Sequence, residues 1–137
     1  LAVKEIMMTA PVTLSPEDTL DLANDIIYLG GVRHIPVVVN GLLVGVLSQR
    51  NLFGAAATIV LGLKGKTKKA LLKSAKIKDV MTKTVITITP DTGVKEAARK
   101  MAEKKIGCLP VLDNGSLLGL LTQTDIMRYV ANQWRSG

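Results

Sequence analysis

"HIPVVVNGLLVGVLSQRNL" (residues 34–52) and "CLPVLDNGSLLGLLTQTDI" (residues 108–126) are two copies of one pattern. Pro36 answers Pro110, Gly41 answers Gly115, Gly45 answers Gly119 and Gln49 answers Gln123, each pair 74 residues apart. The same spacing joins Thr13-Leu14-Ser15-Pro16 to Thr87-Ile88-Thr89-Pro90, so no gap is needed from Val12 to Gly54. Upstream, Met8-Thr9 matches Met81-Thr82 at a spacing of 73, which predicts one inserted residue there. Two copies in register mean two similar supersecondary units that share the work of burying a core.

Each copy reads as β-α-β-β-α. A short strand (Val12–Leu14, Val85–Ile88) ends at Ser15-Pro16 or Thr89-Pro90. A helix comes next, near Thr19–Leu29 and Val94–Lys104; in the second, Val94, Ala97, Ala98, Met101 and Ala102 recur at helical spacing. "IPVVV" and "LPVL" then form a strand. Asn40-Gly41 and Asn114-Gly115 predict tight hairpin turns. A further strand spans Leu42–Leu47 and Leu117–Leu121, and a last helix opens at Ser48 and Thr122. The fold class is α+β. The expected division is repeat 1 over 1–54, a basic and partly helical connector over 55–76, and repeat 2 over 77–137.

Composition narrows the function. Of 137 residues 47% are apolar, enough for a globular core, and only 3% are aromatic, so that core is aliphatic. The single cysteine, Cys108, forbids an intramolecular disulfide and suits a reducing, cytoplasmic setting. With His34 the only histidine, a structural zinc site is not expected. No leader-like segment opens the chain, and Leu1 in first place points to a start or a domain further upstream. The longest stretch free of charge and strong polarity, Leu52 to Leu63, is too short to span a bilayer, which needs about 20 apolar residues.

The net charge of +7 favours anionic partners. Lys64, Lys66, Lys68, Lys69, Lys73, Lys76, Lys78 and Lys83 crowd the connector and the start of repeat 2. They support an alternative reading, nucleic-acid binding, although no aromatic is interleaved for base stacking. Gly62-Leu-Lys-Gly65-Lys66-Thr67 invites a P-loop reading, but the first glycine would have to stand at Val60. No general acid–base pair stands out, so the chain is read as no enzyme.

The residues "Met-Thr … Thr-Ile-Thr-Pro-Asp … Gly-Cys-Leu-Pro-Val-Leu-Asp-Asn-Gly … Leu-Gly-Leu-Leu-Thr-Gln-Thr-Asp-Ile" of copy two resemble the CBS domain. Copy one does so through Val32–Val38 and Gly45–Asn51. The resemblance implies two repeats packed with pseudo-two-fold symmetry, assembly into a homodimer, and an adenosine-containing regulatory ligand between the repeats. AMP, ADP, ATP and S-adenosylmethionine are the ligands it suggests, and a controlled enzyme or transporter is the partner. No cofactor is implied beyond that ligand.

Gly119-x-x-Thr122-x-x-Asp125 stands where a strand becomes a helix. Gly119 allows a ligand or a neighbouring backbone to come close. Thr122 and the first helix amides can meet an anion, and Asp125 can accept a ribose diol. The same spacing also makes a capping box that closes helix amides on itself. Copy one has Gly45-x-x-Ser48-x-x-Asn51, in which Asn51 offers one neutral acceptor and predicts a weaker ribose site. Arg33 and His34 are matched to phosphate-meeting positions by the resemblance; copy two has Gly107 and Cys108 there. Adenine walls implied by it are Thr84, Val85, Ile106 and Pro110 for copy two, and Pro11, Val12, Val32 and Pro36 for copy one. Core packing accounts for the same residues equally well.

Overall fold

The computed structural model describes residues 1–61 and 68–136. The P-loop-like segment 62–67, with Lys64 and Lys66, lies outside the described residues. A 3-10 turn (Val3–Glu5) leads to β1 (Met8–Thr9), α1 (Leu20–Gly30), β2 (His34–Val39), β3 (Leu42–Ser48), α2 (Gln49–Leu61) and α3 (Lys68–Ser74). A second 3-10 turn (Ile77–Asp79) precedes α4 (Val94–Lys104), β4 (Cys108–Asp113), β5 (Ser116–Thr122) and α5 (Gln123–Ser136). Among the described residues no helix is long and apolar enough to cross a membrane.

Two compact units result, and they are not cut where the repeats are. Residues 12–85 form one; residues 1–11 with 86–137 form the other. The body of each repeat therefore carries the arm that precedes the other repeat. The arms correspond residue for residue. Val3 N–H donates to the Thr92 carbonyl at 2.8 Å, and Ile77 N–H to the Asp18 carbonyl at 2.8 Å. Lys4 N–H reaches the Pro90 carbonyl and Lys78 N–H the Pro16 carbonyl. Val3 and Ile77 are both fully buried. This equivalence keeps the spacing of 74 as far upstream as Val3, so the expected one-residue insertion does not occur: Met7, not Met8, stands where Met81 stands.

The hairpins form as predicted. Asn40 and Gly41 have φ of 52° and 81°, Asn114 and Gly115 have 51° and 85°, the left-handed pair that a two-residue turn requires. Val39 faces Leu42 and Asp113 faces Ser116, which fixes both registers. The short first strands are shorter than expected. Each reduces to one parallel bridge, Leu14 with Val37 and Ile88 with Val111. The cause is proline on both sides. A longer parallel ladder would need N–H groups from Pro36 and Pro16, or from Pro110 and Pro90, and proline has none.

The last helices open at Gln49 and Gln123, one residue later than predicted. Ser48 and Thr122 end the strands and cap the helices. In one unit Leu20, Ala23 and Ile27 of α1 pack with Ile35, Val37, Leu47 and Leu52. Leu72 of α3 joins that core, so the connector region does more than link the repeats. In the other unit Val94, Ala97 and Met101 meet Leu109, Val111 and Leu121. Ala98 and Ala102, placed on the same face by spacing, are half-buried and exposed.

Candidate functional site

Both copies of the strand-to-helix motif close as reciprocal caps. Thr122 N–H donates to Asp125 Oδ2 at 2.8 Å, and the Thr122 hydroxyl donates to the same oxygen at 2.9 Å. Asp125 N–H in turn reaches Thr122 Oγ1 at 3.3 Å. Ser48 and Asn51 repeat this: N–H to Oδ1 at 3.0 Å, hydroxyl to Oδ1 at 2.8 Å, and Asn51 N–H back to Ser48 Oγ at 2.9 Å. A serine or threonine succeeded three residues on by a side-chain acceptor produces this geometry, which satisfies amides the helix leaves unpaired. Gln123 N–H is taken by the Gly107 carbonyl and Gln49 N–H by the Arg33 carbonyl. Thr122 and Ser48 thus spend their hydroxyl protons and one lone pair each inside the cap.

The two caps differ in what they leave over. A carboxylate has two acceptor oxygens. Asp125 is buried, commits Oδ2 to the cap, and keeps Oδ1 out of it, 3.8 Å from Arg128 Nη1. A carboxamide has one acceptor. Ser48 N–H can only donate, so the Asn51 oxygen must face it, and Thr82 Oγ1 adds a third approach at 3.4 Å. What Asn51 retains is its donor nitrogen. Repeat two offers an acceptor, and repeat one offers donors.

Arg33 and His34 lie beside the Ser48 cap. The Arg33 carbonyl bonds the first amide of α2 at 2.8 Å, and His34 is in register with Ser48. Burial, then the neighbouring Arg33 charge, lowers the His34 pKa, which favours the neutral ring. Cys108 takes the equivalent place beside Thr122; burial pushes its thiol up to about 12, so it acts as a small apolar residue.

Gly45 and Gly119 are buried against neighbouring chain. A Cβ at Gly119 would lie 2.6 Å from the Met8 carbonyl oxygen, and one at Gly45 2.9 Å from the Thr82 carbonyl oxygen. Of the two roles open to these glycines, close approach of a backbone is the one seen. Pro36 and Pro110 belong to the fully buried set, which leaves neither ring a surface for a ligand. Their carbonyls accept the Leu14 and Ile88 amides instead. Val32 and Ile106 are half-buried and pack on the two cores. Val12 is exposed, as is Thr84, and Val85 is half-buried.

The structure thus gathers Arg33, His34, Ser48 and Asn51 in the unit that also holds Val12, Thr84 and Val85, and gathers Ile106, Gly119, Thr122 and Asp125 in the other. Two neighbours escaped the sequence reading. Arg128 was visible as a cation three residues past Asp125 on a helix. Thr82 was not, because only the seating of its arm brings it to Asn51. Of the basic cluster, Lys76 and Lys78 are paired with Glu17 at 2.7 and 3.0 Å. Among the described residues no group of three potential metal ligands occurs.

Residues 3–58 and 77–132 each match the family model of the CBS domain. A CBS domain-containing protein from Bacillus subtilis, YhcV, is 30% identical over 125 residues, covering 91% of this chain and 82% of its own. Inosine-5'-monophosphate dehydrogenase from Korarchaeum cryptofilum is 34% identical over 84% of this chain, which corresponds to only 21% of the enzyme. The CBS domain pair of MJ0100, solved with 5'-methylthioadenosine and S-adenosyl-L-methionine, superposes with a TM-score of 0.81 at 27% identity, covering 97% of this chain and 98% of that one. CBSX2, solved with AMP, gives 0.80 at 26%, covering 96% of each.

Proposed function

Because the chain belongs to the CBS domain family, we propose that it is a regulatory module that binds an adenosine-containing ligand and controls a partner, without catalysing a reaction itself. The observation that carries this reading is Asp125. It is buried, it is held rigidly by its own cap, and it still has one carboxylate oxygen to offer a ribose hydroxyl. The ligands in the MJ0100 pair and CBSX2 all contain adenosine, which is the class this acceptor suits. The partner is an enzyme or transporter. The match to a fifth of a dehydrogenase fits a module used in regulation. A reducing, cytoplasmic setting suits the single unreactive thiol.

The working form is a homodimer. Tyr28, Leu29, Phe53 and Met127 stand on helix surfaces with more than half of their area exposed, and pairing of two copies covers such faces.

A thermal-shift and calorimetry panel tests the reading with AMP, ADP, ATP, S-adenosylmethionine and 5'-methylthioadenosine, and with short RNA for comparison. Near 100 times the dissociation constant, a ligand of the folded state adds about 2.7 kcal/mol. At least one adenosine compound raises the melting temperature and releases or absorbs heat. Silence from all of them, or a response to RNA alone, overturns the proposal.

A further inference from the structure

Residues 1–9 are an arm seated in a slot on the body of repeat two. Val3 is buried, and Val3 and Lys4 donate to the carbonyls of Thr92 and Pro90. Val94 N–H bonds the Leu1 carbonyl at 2.9 Å, and Met8 and Thr9 pair with Leu120 and Gly119. The slot on repeat one is filled in the same way by residues 75–82, with Leu20 N–H on the Ala75 carbonyl and Thr82 paired to Val46. One slot design thus accepts two different stretches of chain.

The two arms differ in their ion pairs and in how they leave their slots. The second is clamped by two ion pairs, Lys76 and Lys78 on Glu17; the first has Lys4 on Asp91 at 2.9 Å, and Ala2 stands where Lys76 stands. The first arm also leaves its slot through a strained residue. Ala10 has φ of 47°, the left-handed region that suits glycine or asparagine. Its counterpart Thr84 is not among the residues with positive φ. Asn40, Asn114 and Lys105, the other non-glycine residues there among those described, sit in hairpin turns or at a helix end. Ala10 lies just ahead of the boundary where the chain passes from one compact unit to the other. A short hinge under strain favours exchange of the element it carries.

We propose that the N-terminal arm exchanges between two copies of this chain, so that residues 1–9 of each copy fill the slot beside Pro90–Val94 and β5 of the other. Met7 and Met8 then press on Gly119 of the second copy, three residues before its Thr122 cap. Exchange of the arm is independent of which ligand the module binds.

Disulfide trapping across the Ala2–Gly93 bridge tests it. These residues face each other in an antiparallel pair, and a Cβ at Gly93 meets nothing within 4 Å, which leaves room for a cysteine side chain there. In a Cys108→Ala background, Ala2→Cys protein is refolded together with Gly93→Cys protein and oxidised. Exchange yields a heterodimeric disulfide that grows with concentration and diminishes when Ala10→Gly relieves the hinge. The double variant Ala2→Cys/Gly93→Cys controls for reactivity. If it closes within single chains while the mixture stays uncrosslinked, the arm does not exchange. If neither crosslinks although circular dichroism shows folded protein, the arm is not seated against Gly93 and the proposal fails too.

Discussion

The Cβ position of Gly119 lies 2.6 Å from the carbonyl oxygen of Met8, a distance at which no methyl group fits. That oxygen belongs to a paired strand and cannot swing away as a side chain could. At Gly45 the closest atom is Met81 Sδ at 2.7 Å, the middle of a pliable side chain, with the Thr82 carbonyl oxygen next at 2.9 Å. Alanine at either position therefore destabilises the fold, by about 1–3 kcal/mol for overpacking of this kind. Gly119→Ala is the worse of the two. Urea denaturation of both variants checks the order; a neutral Gly119→Ala would mean that β1 does not lie on β5.

His34 makes stability depend on pH near neutrality. Its folded-state pKa is lowered, first by burial and then by Arg33. Below 6.5, the ordinary value, the unfolded chain takes up a proton that the folded chain resists. Stability is thus complete above that pH and falls as pH drops from it toward the depressed folded value. Melting temperatures taken from about pH 7.5 to about pH 5.5 decline in the wild type, and His34→Gln flattens the slope. An equal slope in the variant would remove His34 as the cause.

Cys108 is predicted to be inert in the folded protein. A thiol raised from 9.0 to about 12 has roughly a thousandth of the thiolate at pH 8, before any steric shielding. Native protein reacts with a thiol reagent at least that much more slowly than protein in denaturant. Fast native labelling would show that β4 opens beside Thr122.

Much of this was legible in the residues, for identifiable reasons. Asn-Gly is nearly sufficient for a two-residue hairpin, and the recurrence of Pro, Gly and Gln at one spacing exposed the repeat. The first strands were overread because apolar alternation says nothing about the missing N–H groups of Pro16 and Pro36. The arm seating was out of reach: Met8-Thr9 looks like Met81-Thr82, and only the contacts of Met7 and Met81 with the two glycines set the true register. The cap geometry was anticipated from Thr-x-x-Asp. Which oxygen it consumes, and that Asn51 has none left, depends on hydrogen-bond directions that spacing does not carry.

Those directions separate capping from ligand binding at Asp125. Asp125→Asn can turn its single oxygen toward Thr122 N–H, as Asn51 does toward Ser48, so the cap survives; what disappears is the second, charged acceptor. Asp125→Ala loses both, and a lost cap costs about 1 kcal/mol of stability. A hydrogen bond to a charged group contributes about 1.5–3 kcal/mol, and about 1.4 kcal/mol is a factor of ten in affinity. Both variants therefore bind the adenosine ligand about tenfold or more weakly, but only Asp125→Ala melts much earlier. Asn51→Ala costs less affinity than either, since its oxygen is already occupied. Calorimetry and unliganded melting on the same preparations distinguish the cases, with 2'- and 3'-deoxy analogues as an internal check: they weaken binding to wild type and change little for Asp125→Asn. Wild-type affinity in Asp125→Asn would leave the residue as a helix cap alone, and a larger loss in Asn51→Ala would move the ribose to repeat one.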